Sequence, residues 1–81
     1  MSQAHDAPLT FDDVRADVAE ILRESVDDIG VEDNLVDWGL DSIRLMLLRQ
    51  RWIDRGADVP FAQLAERPQL THWWTLLQAA K

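Results

Sequence analysis

Between Ser42 and Arg55 the apolar residues fall on two sides of a helix rather than one, which restricts the folds open to this chain. At about 100° per residue, Leu45, Leu48 and Trp52 share one side, while Ile43, Met46, Leu47 and Ile53 share another. Arg44, Arg51 and Arg55 separate the two stripes on one flank, and Arg49 lies on the other. A strand would alternate at every second residue, and this segment does not. A helix with two apolar sides is either surrounded by other helices or buries one side and offers the other to a partner. The stripe nearest the serine, Ile43 and Met46, is the better candidate for a partner face. Methionine adapts to differently shaped surfaces.

The rest of the chain supplies helices to pack against this one. Thr10 reads as an N-cap, with Asp12 and Asp13 in the first turn, where anions suit the helix dipole. Phe11, Val14, Val18, Ile21 and Leu22 follow helical spacing and predict a first helix over about residues 11–25. Its opposite face carries Asp13, Arg15, Asp17, Glu20 and Glu24. A long connection, roughly residues 26–41, holds Val26, Ile29, Val31, Leu35 and Leu40 without a clean period, punctuated by Gly30 and Gly39. Connections of this length in small domains usually have a function, and the apolar residues should pin this one to the core. Gly56 is a suitable end for the second helix. Pro60 opens a short helical turn at 61–65, and Pro68 ends it. Thr71 is a plausible cap for a last helix through Ala80, with Trp73, Leu76, Leu77 and Ala80 on one face and Trp74 beside them. The expectation is an all-α four-helix bundle: three main helices, one short one, and a long loop between the first and second. Residues 1–8 read as a disordered leader and 9–81 as one domain.

Composition excludes several function classes. A chain of 81 residues has one core at most. It has no cysteine, hence neither disulfide nor thiolate metal site, and His5 and His72 stand too far apart in sequence to suggest a structural metal. The net charge of -7 argues against nucleic acid as a partner. No apolar stretch approaches the ~20 residues that span a bilayer, and residues 1–8 lack a signal-peptide pattern, so no membrane association and a cytoplasmic location are expected. Charge is uneven: residues 1–41 hold twelve of the fifteen acids against Arg15 and Arg23, whereas residues 42–81 hold six bases and three acids. That asymmetry reads either as a solvated acidic face or as two surfaces that orient partners.

The stretch Trp38-Gly39-Leu40-Asp41-Ser42-Ile43-Arg44 places a serine at the start of the two-striped helix, behind a glycine turn. Free N–H groups and the dipole favour an anion there, such as a phosphate ester. A nucleophilic enzyme would need a base and an orienting group. The G-x-S-x-G elbow is absent, His72 is the only plausible base, and nothing in the sequence brings it near Ser42. The acids from Asp27 to Asp41 do not follow the calcium-loop pattern either. Two readings remain on local grounds: Ser42 as an ordinary helix cap, or Ser42 as a residue modified by another enzyme.

Asp33-Asn34-Leu35, then Gly39-Leu40-Asp41-Ser42, then a long helix resembles the phosphopantetheine attachment region of acyl and peptidyl carrier proteins, over about residues 10–80. The run through Ile43-Arg44, the pair Arg51-Trp52 and the ending from Pro68 to Trp73-Trp74 and Leu76-Leu77 look most like aryl carrier proteins of siderophore assembly lines, including those fused behind isochorismatase domains. The basic second helix departs from fatty-acid carriers, whose equivalent helix is usually acidic. The resemblance implies a non-catalytic carrier with 4′-phosphopantetheine on Ser42, attached by a phosphopantetheinyl transferase, with Gly39 and Asp41 flanking the site. It implies an aryl-acid adenylating enzyme that loads an aromatic acid as a thioester, and a condensation or cyclisation domain that takes it in nonribosomal peptide synthesis. Partner contacts are implied at Ile43 and Met46 and at the short helix through Phe61 and Ala65. Phe61 reads equally as core or interface, and Arg44 as a contact to acidic partner surfaces or to the pantetheine phosphate, or no less as a solvated side chain. Within the same fold the alternative is a peptidyl carrier loaded with an amino acid; outside it, an unmodified helical interaction domain.

Overall fold

The computed structural model describes residues 9–80; the leader expected at 1–8 lies outside the described residues. The first helix, α1, runs Phe11–Leu22. Thr10 caps it as its sequence predicts: its hydroxyl accepts the Asp13 N–H at 3.0 Å, and the Asp13 carboxylate accepts the Thr10 N–H at 3.0 Å. That backbone N–H, with smaller help from the Thr10 hydroxyl and Arg55, holds the Asp13 carboxyl below the usual range. The helix stops at Leu22, short of the expected residue 25. Arg23 adopts the left-handed conformation (φ 59°), and the N–H groups of Arg23 and Glu24 turn back to Glu20 and Ala19. A glycine would have announced that turn; an arginine does not.

The long connection is organised by two 3-10 turns, Val26–Asp28 and Leu35–Trp38. Ile29, Leu35 and Leu40 are buried, so the loop is pinned as expected. The Asp33 carboxylate accepts the Gly30 N–H at 2.8 Å and the Trp38 indole N–H at 3.2 Å, and Asn34 caps the second turn through the Val36 N–H at 3.0 Å. Two backbone bonds tie the loop to the far end of the chain: Leu35 N–H to Pro68 O at 2.9 Å and Thr71 N–H to Val31 O at 3.1 Å.

α2 spans Ser42–Asp54, followed by Gly56 at φ 91°. α3 is the short helix Phe61–Glu66, and α4 runs Leu70–Ala79. Thr71 is not the cap of α4. The helix begins two residues earlier than that cap would allow, behind Gln69, with no side-chain cap, and the Thr71 N–H is taken by the loop carbonyl of Val31. Tertiary pairing does there what a capping side chain would otherwise do. Among the described residues there are four α-helices and no strand.

The core forms where Leu45, Leu48 and Trp52 of α2 meet Val14, Val18 and Leu22 of α1, Leu64 of α3, and Leu70, Trp73 and Leu77 of α4. Trp52 and Trp73 meet edge to face, ring centroids 5.7 Å apart. Trp74 is only half-buried and packs 6.0 Å from Phe11 at the margin. The polar face of α1 is not simply solvated. Arg51 bridges Asp17 at 3.2 Å and Glu20 at 2.7 Å, Arg55 reaches Asp13 at 3.4 Å, and the Trp52 indole donates to Asp17 at 3.0 Å. Part of the charge asymmetry along the sequence is therefore consumed between two helices. Arg49, on the other flank of α2, donates to Val59 O at 2.7 Å and fixes the connection into α3.

Candidate functional site

Ser42 is exposed at the first position of α2, and it is not the helix cap. Asp41 is. Its backbone is extended (φ -132°, ψ -178°), and its carboxylate accepts the Arg44 N–H at 2.9 Å while its carbonyl accepts the Leu45 N–H at 2.9 Å. The residue before the serine thus supplies the cap, and the serine hydroxyl, at the positive end of a thirteen-residue helix, makes no hydrogen bond among the described residues. The N–H groups of the first turn lack intrahelical acceptors and point toward the same end.

Gly39 directs the chain into this geometry. It closes the Leu35–Trp38 turn in the left-handed region (φ 102°), where its N–H returns to Val36 O at 3.0 Å. The next residue, Leu40, is buried, and its N–H reaches Leu35 O at 3.1 Å. Arg44 is not a free surface cation: its guanidinium donates to Gly39 O at 2.7 Å.

Ser42 lies on the rim of an apolar groove of about 240 Å³, lined with it by Val36, Leu40, Leu45, Phe61, Ala65 and Pro68. The groove brings α3 to the serine, so the sequence-predicted residues Asp41, Ser42, Phe61 and Ala65 do meet in space. Phe61 is half-buried in the groove wall, serving core and surface together, and Ala65 is exposed. The two stripes of α2 part in the structure, except that Ile53 of the second stripe is half-buried. Leu45, Leu48 and Trp52 are buried, whereas Ile43, Met46 and Leu47 are 67%, 53% and 51% exposed. Val36, 56% exposed, is a further large apolar side chain left outside, and sequence spacing gave no sign of it because it belongs to an aperiodic loop.

Among the described residues no three His, Asp or Glu side chains are grouped to hold a metal ion, and no helix is long and apolar enough to cross a membrane. The arrangement suits a phosphate ester instead. A primary hydroxyl stands in solvent at a helix N-terminus, with room in the adjacent groove for an extended, weakly polar chain.

Comparison with known proteins points the same way. Residues 12–73 match the family described as the phosphopantetheine attachment site. The acyl carrier protein ScoB of Streptomyces coeruleorubidus is 48% identical over 73 residues, covering 90% of this chain and 86% of that protein. An isochorismatase of Bacillus subtilis is 44% identical over 68 residues, and the phenyloxazoline synthase MbtB of Mycolicibacterium paratuberculosis is 45% identical over 75. The chain spans only 22% and 6% of those two proteins. No solved structure matches. With most of its length matched and a full-length relative nearly half identical, the chain belongs to the phosphopantetheine attachment site family, as a non-catalytic carrier protein bearing covalent 4′-phosphopantetheine.

Proposed function

We propose that this chain is a cytoplasmic aryl carrier protein, with Ser42 Oγ as the attachment atom for 4′-phosphopantetheine. The observation that carries this reading is the uncommitted Ser42 hydroxyl at the head of α2, free because Asp41 takes the capping role. When bound, the group supplies a flexible arm ending in a thiol on which an aromatic acid is held as a thioester. The chain's own part is address and reach. Gly39 and Asp41 set the direction in which Ser42 leaves the surface, and tethering raises the cargo's effective concentration at each docked enzyme. An aromatic cargo is favoured over an amino acid by the matches to part of an isochorismatase and of a phenyloxazoline synthase, the second a product name with a phenyl ring.

Partners in this reading are a phosphopantetheinyl transferase, an aryl-acid adenylating enzyme and a condensation or cyclisation domain of siderophore-type nonribosomal peptide synthesis. Ile43 and Met46 on α2, with Phe61 and Ala65 on α3, form the surface that would meet them, because exposed apolar side chains clustered beside a reactive group mark contact. The test is intact mass after incubation with coenzyme A and a broad-specificity transferase. A gain of one phosphopantetheine, absent in Ser42→Ala, is the expected result, and no gain on folded protein overturns it. Loading of the modified protein by adenylating enzymes for aryl or amino acids then separates an aryl from a peptidyl carrier.

A further inference from the structure

We propose that Arg44 is a positioning residue for the modification of Ser42, acting through the Gly39–Leu40 peptide; this rests on Ser42 being the attachment residue. Arg44 holds the serine's approach at two points. Its backbone N–H is bound by the Asp41 carboxylate at 2.9 Å, and its guanidinium donates to Gly39 O at 2.7 Å. The short distance and the charged donor mark the second bond as a strong one.

The Gly39–Leu40 peptide is a rigid plane, and it is held on both edges. On one edge the Leu40 N–H is bound to Leu35 O at 3.1 Å; on the other, Gly39 O is bound by Arg44. Glycine at φ 102° sits in a region where this residue type can move between several conformations, so a plane beside it is easily rotated if one edge is released. That plane precedes Asp41 and Ser42, with only the buried Leu40 and its peptide to Asp41 in between. The guanidinium also lies close over Gly39, since a Cβ there would stand 3.3 Å from Arg44 Nη1. Arg44 therefore fixes from beyond the serine the turn that precedes it. In the modification, Ser42 Oγ gives up its proton and bonds to the pantetheine-side phosphorus of coenzyme A held by the transferase, while the diphosphate bond breaks and adenosine 3′,5′-bisphosphate leaves; such a nucleophile loses rate when its mean position is loosened.

The experiment compares Arg44→Met, which keeps the stem and removes the donors, with Arg44→Lys, which keeps a donor for Gly39 O. Steady-state phosphopantetheinylation is followed by intact mass with coenzyme A and a broad-specificity transferase, at low and high salt. Amide hydrogen exchange of the unmodified protein is measured without the enzyme. Arg44→Met should lower kcat about tenfold with little change in KM at either salt, and Arg44→Lys should recover most of that loss. Exchange at Leu40 should quicken in Arg44→Met and stay near the wild-type rate in Arg44→Lys. A kcat unchanged in Arg44→Met, with a salt-sensitive rise in KM, overturns the proposal by showing that Arg44 meets the transferase directly. So does Leu40 exchange that is indifferent to the substitution. If wild-type protein gains no mass at all, Ser42 as the attachment residue fails and the role of Arg44 fails with it; a wild type that gains mass while Arg44→Met matches it sinks the Arg44 role alone.

Discussion

Met46 and Leu48 stand two positions apart on α2 and face opposite demands. Met46 is half exposed among Ile43 and Leu47, whereas Leu48 is fully buried against the other helices. Met46→Asp should therefore leave the thermal midpoint within a few degrees of wild type, yet slow acyl transfer to a downstream enzyme. Leu48→Asp should prevent folding, because an unpaired buried carboxylate costs several kcal/mol against a total stability of about 5–15 kcal/mol. Circular dichroism of both variants and a single-turnover transfer assay check the pair; equal unfolding of the two would refute the exposed stripe. The stripes themselves were legible because helical spacing sorts residues by side. Which stripe faces solvent was not, since that depends on where the other helices lie. The same limit applied to Ser42. Aspartate and serine are both favoured caps, and adjacent candidates in Asp41-Ser42 leave the choice to backbone geometry.

At the scale of the element, α1 shows why helix beginnings are easier to read than helix ends. The Thr10 to Asp13 capping box is written in side chains, while the end at Leu22 depends on a left-handed arginine and the loop's need to bury Ile29. Thr10→Ala should cost about 1 kcal/mol, read as a lowered urea midpoint with unchanged slope. The box also makes a pH prediction. The folded Asp13 carboxyl lies below its ordinary value of 3.8, chiefly because the Thr10 N–H binds the charged form. Its stabilising contribution is thus complete above that value and is lost as pH falls through the lower, folded one. Asp13→Asn keeps an acceptor for Thr10 but cannot titrate. Urea midpoints measured from about pH 5 to about pH 2 should fall less steeply in Asp13→Asn than in wild type, and parallel slopes would remove Asp13 from the account of acid unfolding. The start of α4 was misread for the opposite reason: Thr71 looks like a cap, but the Val31 carbonyl takes its N–H across the molecule, and no local pattern records a partner forty residues away.

Across the whole molecule, the four helices are joined through two tryptophans as well as through apolar packing. Spacing puts Trp52 on the side of Leu45 and Leu48 and Trp73 on the face of Leu77; it could not show what their N–H groups would bind, because both partners come from other helices. Trp52 on α2 donates to Asp17 on α1 at 3.0 Å, and Trp73 on α4 donates to Leu64 O on α3 at 2.8 Å. The rings meet between them, so contact runs from α1 through α2 and α4 to α3. The two hydrogen bonds are not equivalent. Leu64 O belongs to the last turn of a six-residue helix, where carbonyls lack intrahelical donors, and its bond to Trp73 is buried. Asp17 is part-exposed and retains Arg51 as a second partner. Removing the donor from Trp73 leaves a buried acceptor unsatisfied; removing it from Trp52 leaves a carboxylate that water and Arg51 still serve. Both substitutions to phenylalanine create a void of similar size, so that part of the cost should nearly cancel between them. Trp73→Phe should then be the more destabilising by about 1–2 kcal/mol, the penalty for an unpaired buried carbonyl. Urea unfolding of the two variants measures the difference. The local consequence should be specific as well: amide exchange across α3 should quicken in Trp73→Phe beyond what the global loss accounts for, because that helix loses its buried hydrogen bond to α4. Since α3 carries Phe61 and Ala65 along the groove beside Ser42, Trp73→Phe should also slow acyl transfer more than Trp52→Phe, under conditions where both proteins are folded.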